Sequence, residues 1–269
     1  MKYINYKPPI SLQPYIDRYW RCNSEGESIQ LLPLFAGTGL DLFIHFSTPF
    51  HITEGILSTS HIFCPRKPIS ISSDNNLDFI SIRFRSGAFR HFCSLKFNDF
   101  CNNFLSSKDI WGNEGAEFID RLHDTLSWDR RIEILNSFLL KQFMKHQKFN
   151  PLLDNSIACI YTNYQHTPLN LFAKKYNLSF RHFERLFKNE FNISPKKFQI
   201  ASRFQTSIKE VLLSSSNDYL QIAINNGYYD QSHFIKECKS LSGMSPLEIM
   251  NMKNISSHFY FESLSRSKK

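Results

Sequence analysis

The stretch GYYDQSHFIKECKSLSGMSPLEI, residues 227–249, packs a glycine, a capping acid and an amphipathic run into a short span. Glycine takes the left-handed backbone that ends a helix at no steric cost, so Gly227 marks a sharp turn. Asp230 then supplies a side-chain acceptor for the first free N–H groups of a new helix. From that cap Phe234, Cys238 and Leu241 recur at helical spacing, while Ser232, Lys236 and Lys239 lie on the other side. A further helix starts at Ser245-Pro246, a cap followed by a proline at the first helical position. A basic amphipathic helix directly after a tight turn is the local form of an element that enters the DNA major groove. Taken singly, it is also the form of a solvated surface helix.

A repeat decides between these readings. Ala173 matches Ala223 and Asn177 matches Gly227 at a spacing of 50 residues. After one extra residue in the second turn, Ser179 matches Asp230, Phe183 matches Phe234, Phe187 matches Cys238, Lys188 matches Lys239, and Ser194-Pro195 matches Ser245-Pro246. Each unit reads as helix, turn, helix. In the first, Leu169, Phe172, Ala173 and Tyr176 hold helical spacing, Asn177 breaks the helix and Ser179 caps the next. In the second, Tyr219, Ile222 and Ala223 precede Gly227 and Asp230. The small Ala173 and Ala223 allow the paired helices to approach closely. Arg181, Arg185 and Lys188 occupy the polar face of the first unit at the offsets that Ser232, Lys236 and Lys239 take in the second. Between the units Phe198, Ala201, Phe204, Ile208 and Leu212 form the buried side of a connecting helix from Pro195 to Leu213, a rod of roughly 27 Å. That length approaches the ~34 Å separating successive major-groove faces.

With G-Y-Y-D-Q-S-H-F-I-K-E-C-K and G-M-S-P in place, the segment from Ala223 to Pro246 resembles the signature of AraC/XylS-type transcription regulators, and Leu169 to Pro195 resembles their first helix-turn-helix. The resemblance runs from roughly Leu153 to Met252. It implies two helix-turn-helix units on a long helix, reading adjacent major-groove segments of promoter DNA. Asn177 stands where such regulators usually have Gly, and Cys238 where they usually have Phe; Asn tolerates that turn and Cys is a small core residue. Candidate base-reading residues are Arg181, Glu184 and Arg185 in the first unit, and Gln231, Ser232, His233 and Lys236 in the second. Arg pairs with guanine through two hydrogen bonds and Glu accepts from cytosine. For each, a phosphate contact or plain solvation is the alternative. Lys188, Lys196, Lys197 and Lys239 are candidates for phosphate contact, and Asn177 and Gly227 for the turns.

Of the 32 Lys+Arg and 24 Asp+Glu, 15 and 9 fall from Pro151 onward, leaving 17 and 15 before it, so the C-terminal part carries most of the net +8. An anionic partner fits that asymmetry. The N-terminal part differs in kind. SIQLLPLF, LDLFIHF, HITEGIL, HIFC and LDFISIRF, between residues 28 and 84, read as β-strands. AFRHFCSL, FNDFCNNFL, GAEFIDRLHDTL and RRIEILNSFLLKQFMKH then read as helices, the last from Trp128 to His146 and suited to pack on the strands or on a copy of itself. The fold class expected is α+β: residues 1–148 a β-rich sensory or dimerisation domain with a helical extension, residues 152–253 an all-α DNA-binding domain, and residues 254–269 a tail. YIDRYW, LLPLFAGTGLDLFIHF and SIRFRSGAF also resemble an N-terminal module of some AraC-type regulators, with Ser86 where a Pro is usual.

Chemistry of other kinds finds little support. His45, His51, His61 and His91 are scattered, without a paired arrangement for a metal, and no phosphate-binding loop occurs. Cys64-Pro65-Arg66 lacks the surroundings of a reactive repair thiol. The six cysteines have no Cys-x-x-Cys pair and are expected reduced and mostly buried. Arg83 and Arg85 are expected to pair with acids or to face a carboxylate ligand. The start MKYINYKPPISLQPY is unlike a signal peptide, no run approaches the ~20 apolar residues that span a bilayer, and the cytoplasm is expected. Partners expected are double-stranded promoter DNA, with RNA polymerase, a small-molecule effector and a second copy of the chain as further candidates; no cofactor, metal or membrane is. The competing class is a catalytic or repair protein carrying the same DNA-binding module.

Overall fold

Leu77–Phe84 lacks the polar alternation of a half-exposed strand because both of its faces are covered. In the computed structural model, which describes residues 2–24, 33–73, 76–165, 168–213 and 219–251, this strand (β7) lies in the middle of an antiparallel sheet. Its companions are β1 (Lys2–Tyr6), β2 (Ile16–Ser24), β3 (Leu40–His45) and β6 (Ser60–Phe63), in the order β1-β2-β7-β3-β6. A small hairpin, β4 (His51–Ile52) with β5 (Gly55–Ile56), stands apart from it. Register places Leu42 opposite Ile82 and Ile44 opposite Ile80 on one face, and Phe43 opposite Ser81 and His45 opposite Phe79 on the other. The first face joins Tyr19, Ile62 and Phe84 in a core shared with the helices. The second packs Trp20, Phe43 and Phe79 against Phe50 and Ile71 from the loops.

The strands expected as LDLFIHF, HIFC and LDFISIRF are present, whereas HITEGIL bends at Thr53-Glu54 into the two short arms of the β4–β5 hairpin, and β1 and β2 precede the expected start of the sheet. Their charges hid them: Arg21 sits mid-strand and is neutralised across the sheet by Asp78, with two bonds of 2.9 Å. Residues 28–32 of SIQLLPLF lie outside the described residues, and Leu34 makes a single bridge with Ile69. AFRHFCSL yields only a 3-10 turn at Ala88–His91, and FNDFCNNFL only the short helix α1 (Phe97–Phe100). Asn102 has a left-handed backbone (φ 61°), and Cys101 and Leu105 bridge to Cys64 and Ile62. Pairing with β6 overrides helical propensity there.

Two helices, α2 (Ser107–Trp111) and α3 (Asn113–Asp124), lead to α4 (Trp128–His146), whose bounds match the expected ones. Ile134, Leu135, Phe138 and Leu139 of α4 are buried, and Phe138 stacks on Phe118 at 3.9 Å between ring centroids. The apolar face of α4 is thus used inside the chain. All six cysteines are free thiols, five of them buried.

Helix α5 (Pro151–Thr162) opens the C-terminal region, followed by α6 (Leu169–Lys175), α7 (Phe180–Phe191), α8 (Pro195–Leu213), α9 (Tyr219–Asn225), α10 (Gln231–Ser242) and α11 (Pro246–Met250). Phe183, Phe187, Phe191 and Phe198 belong to the same hydrophobic cluster as the sheet and α4. Ile222, Ala223, Phe234 and Cys238 form a separate one with Phe204 and Ile208, which Phe35 joins from the N-terminal region. At the seam Gly87 (φ 72°) leaves no space for a side chain: a Cβ would run into Ile157 and lie 3.0 Å from Phe191. The expected tail, residues 254–269, lies outside the described residues.

Candidate nucleic-acid interface

The repeat seen in the sequence holds down to single hydrogen bonds. In the first unit Asn177 N donates to Lys174 O (3.0 Å) and Leu178 N to Ala173 O (2.8 Å); in the second Gly227 N donates to Ile224 O and Tyr228 N to Ala223 O, both at 3.0 Å. This is the paired closure of a helix C-terminus that needs a left-handed residue, and Asn177 (φ 54°) and Gly227 (φ 74°) are left-handed. The next helix is capped in both units. Ser179 Oγ accepts from His182 N at 3.3 Å, and Asp230 Oδ1 from His233 N at 2.7 Å. Ala173 and Ala223 are buried where the paired helices cross. The extra residue of the second turn is Tyr229, whose ring stands in solvent.

Burial of one stripe leaves the opposite stripe of α7 and α10 to solvent. Phe183, Phe187 and Phe191 are buried on α7, and Phe234, Cys238 and Ser242 on α10. Arg181, Arg185 and Lys188 are exposed on α7, with Glu184 half-buried between the two faces. On α10 Gln231, Ser232, Lys236 and Lys239 are exposed. His233 is exposed too, but its ring is engaged: Nδ1 accepts from Tyr229 N at 3.5 Å, and Nε2 lies 3.9 Å from the Glu237 carboxylate. Lys196 and Lys197 are exposed in the first turn of α8, Lys196 donating to Gln199 at 3.1 Å. The two stripes are open surfaces bearing guanidinium, ammonium, amide and hydroxyl donors, the groups that meet base edges and phosphates.

What aims the second stripe was not visible in the sequence. Arg203, on α8, reaches Glu237 on α10 through both Nε (3.1 Å) and Nη2, donates to Gly227 O at 3.3 Å, and lies 4.2 Å over the Tyr228 ring. One guanidinium thereby ties connecting helix, turn and recognition helix together. No local pattern points to it, since Glu237 lies 34 residues away. Tyr164 OH donates to Asn226 (2.6 Å) and Gln199 to Tyr164 O (2.7 Å), joining the start of the first unit to the second.

Behind the interface, a cavity of about 750 Å³ opens between the N-terminal region and helices α5 and α8. Phe84, Phe149, Ile157 and Tyr161 make its apolar wall, and Arg85 and Lys209 stand at its polar side. Arg83 and Arg85 both line it and both have acids beside them, Asp41 and Asp17 respectively. Lys209 has no hydrogen-bonding or ionic partner among the described residues. At the rim, burial would raise the Asp154 carboxyl, but His91, Arg90 and the Asn150 N–H hold it down to about 2.

The model of a helix-turn-helix domain matches residues 172–252, and that of a domain of unknown function (DUF6597) matches residues 4–106. Among solved structures the chain is similar to ToxT from Vibrio cholerae in a P21 crystal form, at TM-score 0.50 and 12% identity, over 88% of this chain and 99% of that one. ToxT from Vibrio cholerae O395 aligns at TM-score 0.44 and 15% identity, over 86% and 95%. ToxT of strain SCE256 bound to an unsaturated fatty acid aligns at TM-score 0.44 and 12% identity, over 88% and 96%. No curated protein sequence matches. At such identities the likeness is one of fold.

A doubled helix-turn-helix with two open donor-bearing stripes, matched as a helix-turn-helix domain, defines a DNA-binding transcription regulator. The matched segment, residues 172–252, is a helix-turn-helix domain similar to those of AraC-type regulators. No helix among the described residues is long and apolar enough to cross a membrane.

Proposed function

We propose that one chain reads an asymmetric promoter site with two different helices, α7 and α10, in successive major-groove segments whose centres lie about 10 base pairs apart. The observation that carries this reading is the repeated turn geometry, which presents Arg181 and Arg185 in one unit and Ser232 and Lys236 in the other at equal offsets from their caps. Glu184, Gln231 and His233 complete the base-reading set, with His233 limited by its contacts with Tyr229 N and Glu237. Lys188, Lys196, Lys197 and Lys239 contact phosphate. The two faces differ in chemistry, so a palindrome is not required within one chain's footprint, nor is a second copy. RNA polymerase is the partner of the DNA-bound chain that transcription regulation calls for.

The cavity beside α5 and α8 supports a small-molecule effector, and its lining favours an amphipathic anion: apolar rings on one wall, with the Lys209 ammonium and the Arg85 guanidinium at the other.

Selection of bound duplexes from a random pool tests the DNA reading. Wild type should return two unlike blocks; Arg185→Ala should relax one and Lys236→Ala the other, each at about 1–3 kcal/mol. A palindrome bound only by dimers, or a variant that alters both blocks, would overturn it.

A further inference from the structure

The two helix-turn-helix units do not share a core with each other. The first is continuous with the N-terminal region, and the second has its own cluster. Between them run α8 and a few hydrogen bonds around Tyr164. Long helices bend gently, and a bend in α8 would change both the separation and the relative rotation of α7 and α10.

The N-terminal region grips each unit separately. On the first, Arg90 donates to Glu190 of α7 (3.2 Å) and to Asp154 of α5, while Arg66 reaches the Phe191 carbonyl at the end of α7 (3.5 Å). On the second, Ala36 N donates to Leu241 O, near the end of α10, at 3.0 Å. On α8, Phe35 meets Phe204 edge-on at 6.3 Å between centroids, and Thr38 bonds Gln205 through its N–H (3.3 Å) and its hydroxyl (2.7 Å). Phe35, Ala36 and Thr38 belong to one short segment that leads directly into β3. Both recognition helices are therefore held by their C-terminal ends to one sheet-built body, and their N-terminal halves, which bear Arg181, Arg185, Gln231 and Lys236, stay open.

We infer that the N-terminal domain is a spacing gauge: it sets the separation and rotation of α7 and α10, and hence which distance between the two DNA blocks the chain accepts. This rests on the two-block reading proposed above. Each base pair inserted between the blocks moves one by ~3.4 Å and turns it by about 34° relative to the other. A pair of units joined by a bendable helix absorbs part of that change, and a pair clamped to a third body does not.

The test is a series of duplexes carrying both blocks at the preferred spacing and at one and two base pairs more or less, titrated with the full-length chain. Wild type should prefer one spacing about tenfold over its neighbours, within the usual range of coupling between two sites. Phe35→Ala, which loosens the second unit, and Arg90→Met, which loosens the first, should keep affinity at that spacing within about threefold and lose most of the preference. Thr38→Val removes a single hydroxyl and should shift the profile the same way to a smaller extent, which carries the test if a larger change prevents folding. Variants that weaken every spacing equally, or keep the full preference, overturn the gauge. Tighter binding of the variants at every spacing also overturns it, by showing that the N-terminal domain obstructs DNA. Absence of two blocks in wild type would instead overturn the two-block reading.

Discussion

Replacing Arg203 by Ala should cost about 3 kcal/mol and disable one half of the DNA interface while sparing the other. The Arg203 and Glu237 side chains are 17% and 9% exposed, so most of the pair has been taken out of water. Breaking a fully buried pair costs about 3–5 kcal/mol because the remaining charge has no partner. Residual solvent at Arg203, and His233 Nε2 at 3.9 Å from the same carboxylate, bring this to about 2 kcal/mol. Loss of the guanidinium over Tyr228 adds about 0.5–1 kcal/mol, and the bond to the Gly227 carbonyl a similar amount. Lys in place of Arg keeps the charge without the two-pronged geometry and should recover about half of the loss. Urea unfolding of the full chain and amide exchange along α10 measure the stability, and base-by-base protection of a bound duplex measures the function. Arg203→Ala should lose contacts in the block read by α10 and keep those read by α7. In a double-mutant cycle with Glu237→Gln the coupling should exceed about 1 kcal/mol. Additive effects within about 0.3–0.5 kcal/mol, or equal loss in both blocks, would refute the assignment of Arg203 as the residue that aims the second recognition helix.

Gly227→Val should destabilise the chain by about 2–3 kcal/mol, because a β-branched residue is strained at φ 74°; an unchanged thermal melt would mean that the turn relaxes. Lys188→Ala and Lys239→Ala should each weaken binding alike on all sequences and lower the salt slope by about one; a shift in preferred sequence would show that they read bases. Acid should weaken the N-terminal sheet through His45 and His61, whose buried rings stack 5.2 Å apart between centroids. Burial, with the neighbouring His61, pulls the His45 imidazole down to about 3, and burial pulls His61 down to about 4, against Ser58 O, from 6.5. The unfolded chain therefore takes up protons below pH 6.5 that the folded chain refuses, and stability falls from there toward pH 4. Between pH 7 and pH 5 the loss should be on the order of 2 kcal/mol per histidine. His45→Phe should flatten that slope in pH-dependent urea unfolding, and an unchanged slope would show that other groups carry it.

The local grammar of the chain was legible in its residues. Asn177 and Gly227 could be read as left-handed turn residues, and Ser179, Asp230 and Ser245 as caps, because each choice depends on chemistry within a few positions. The bounds of α4 and α8 followed from periodicity, and those of β7 from an apolar run closed by turns. The exposed stripes of α7 and α10 followed in turn from which residues had to be buried. Tertiary structure decided what proximity in space decides. Cys101 to Leu105 left a helical pattern to pair with β6, and Arg21 became tolerable mid-strand because Asp78 faces it. Arg203 found Glu237 across 34 residues, and Phe35 settled on Phe204. Such contacts join positions with no shared period and no local signature. The physical reason they escape a reading of the sequence is that their energy comes from desolvation and pairing that exist only once remote segments have met.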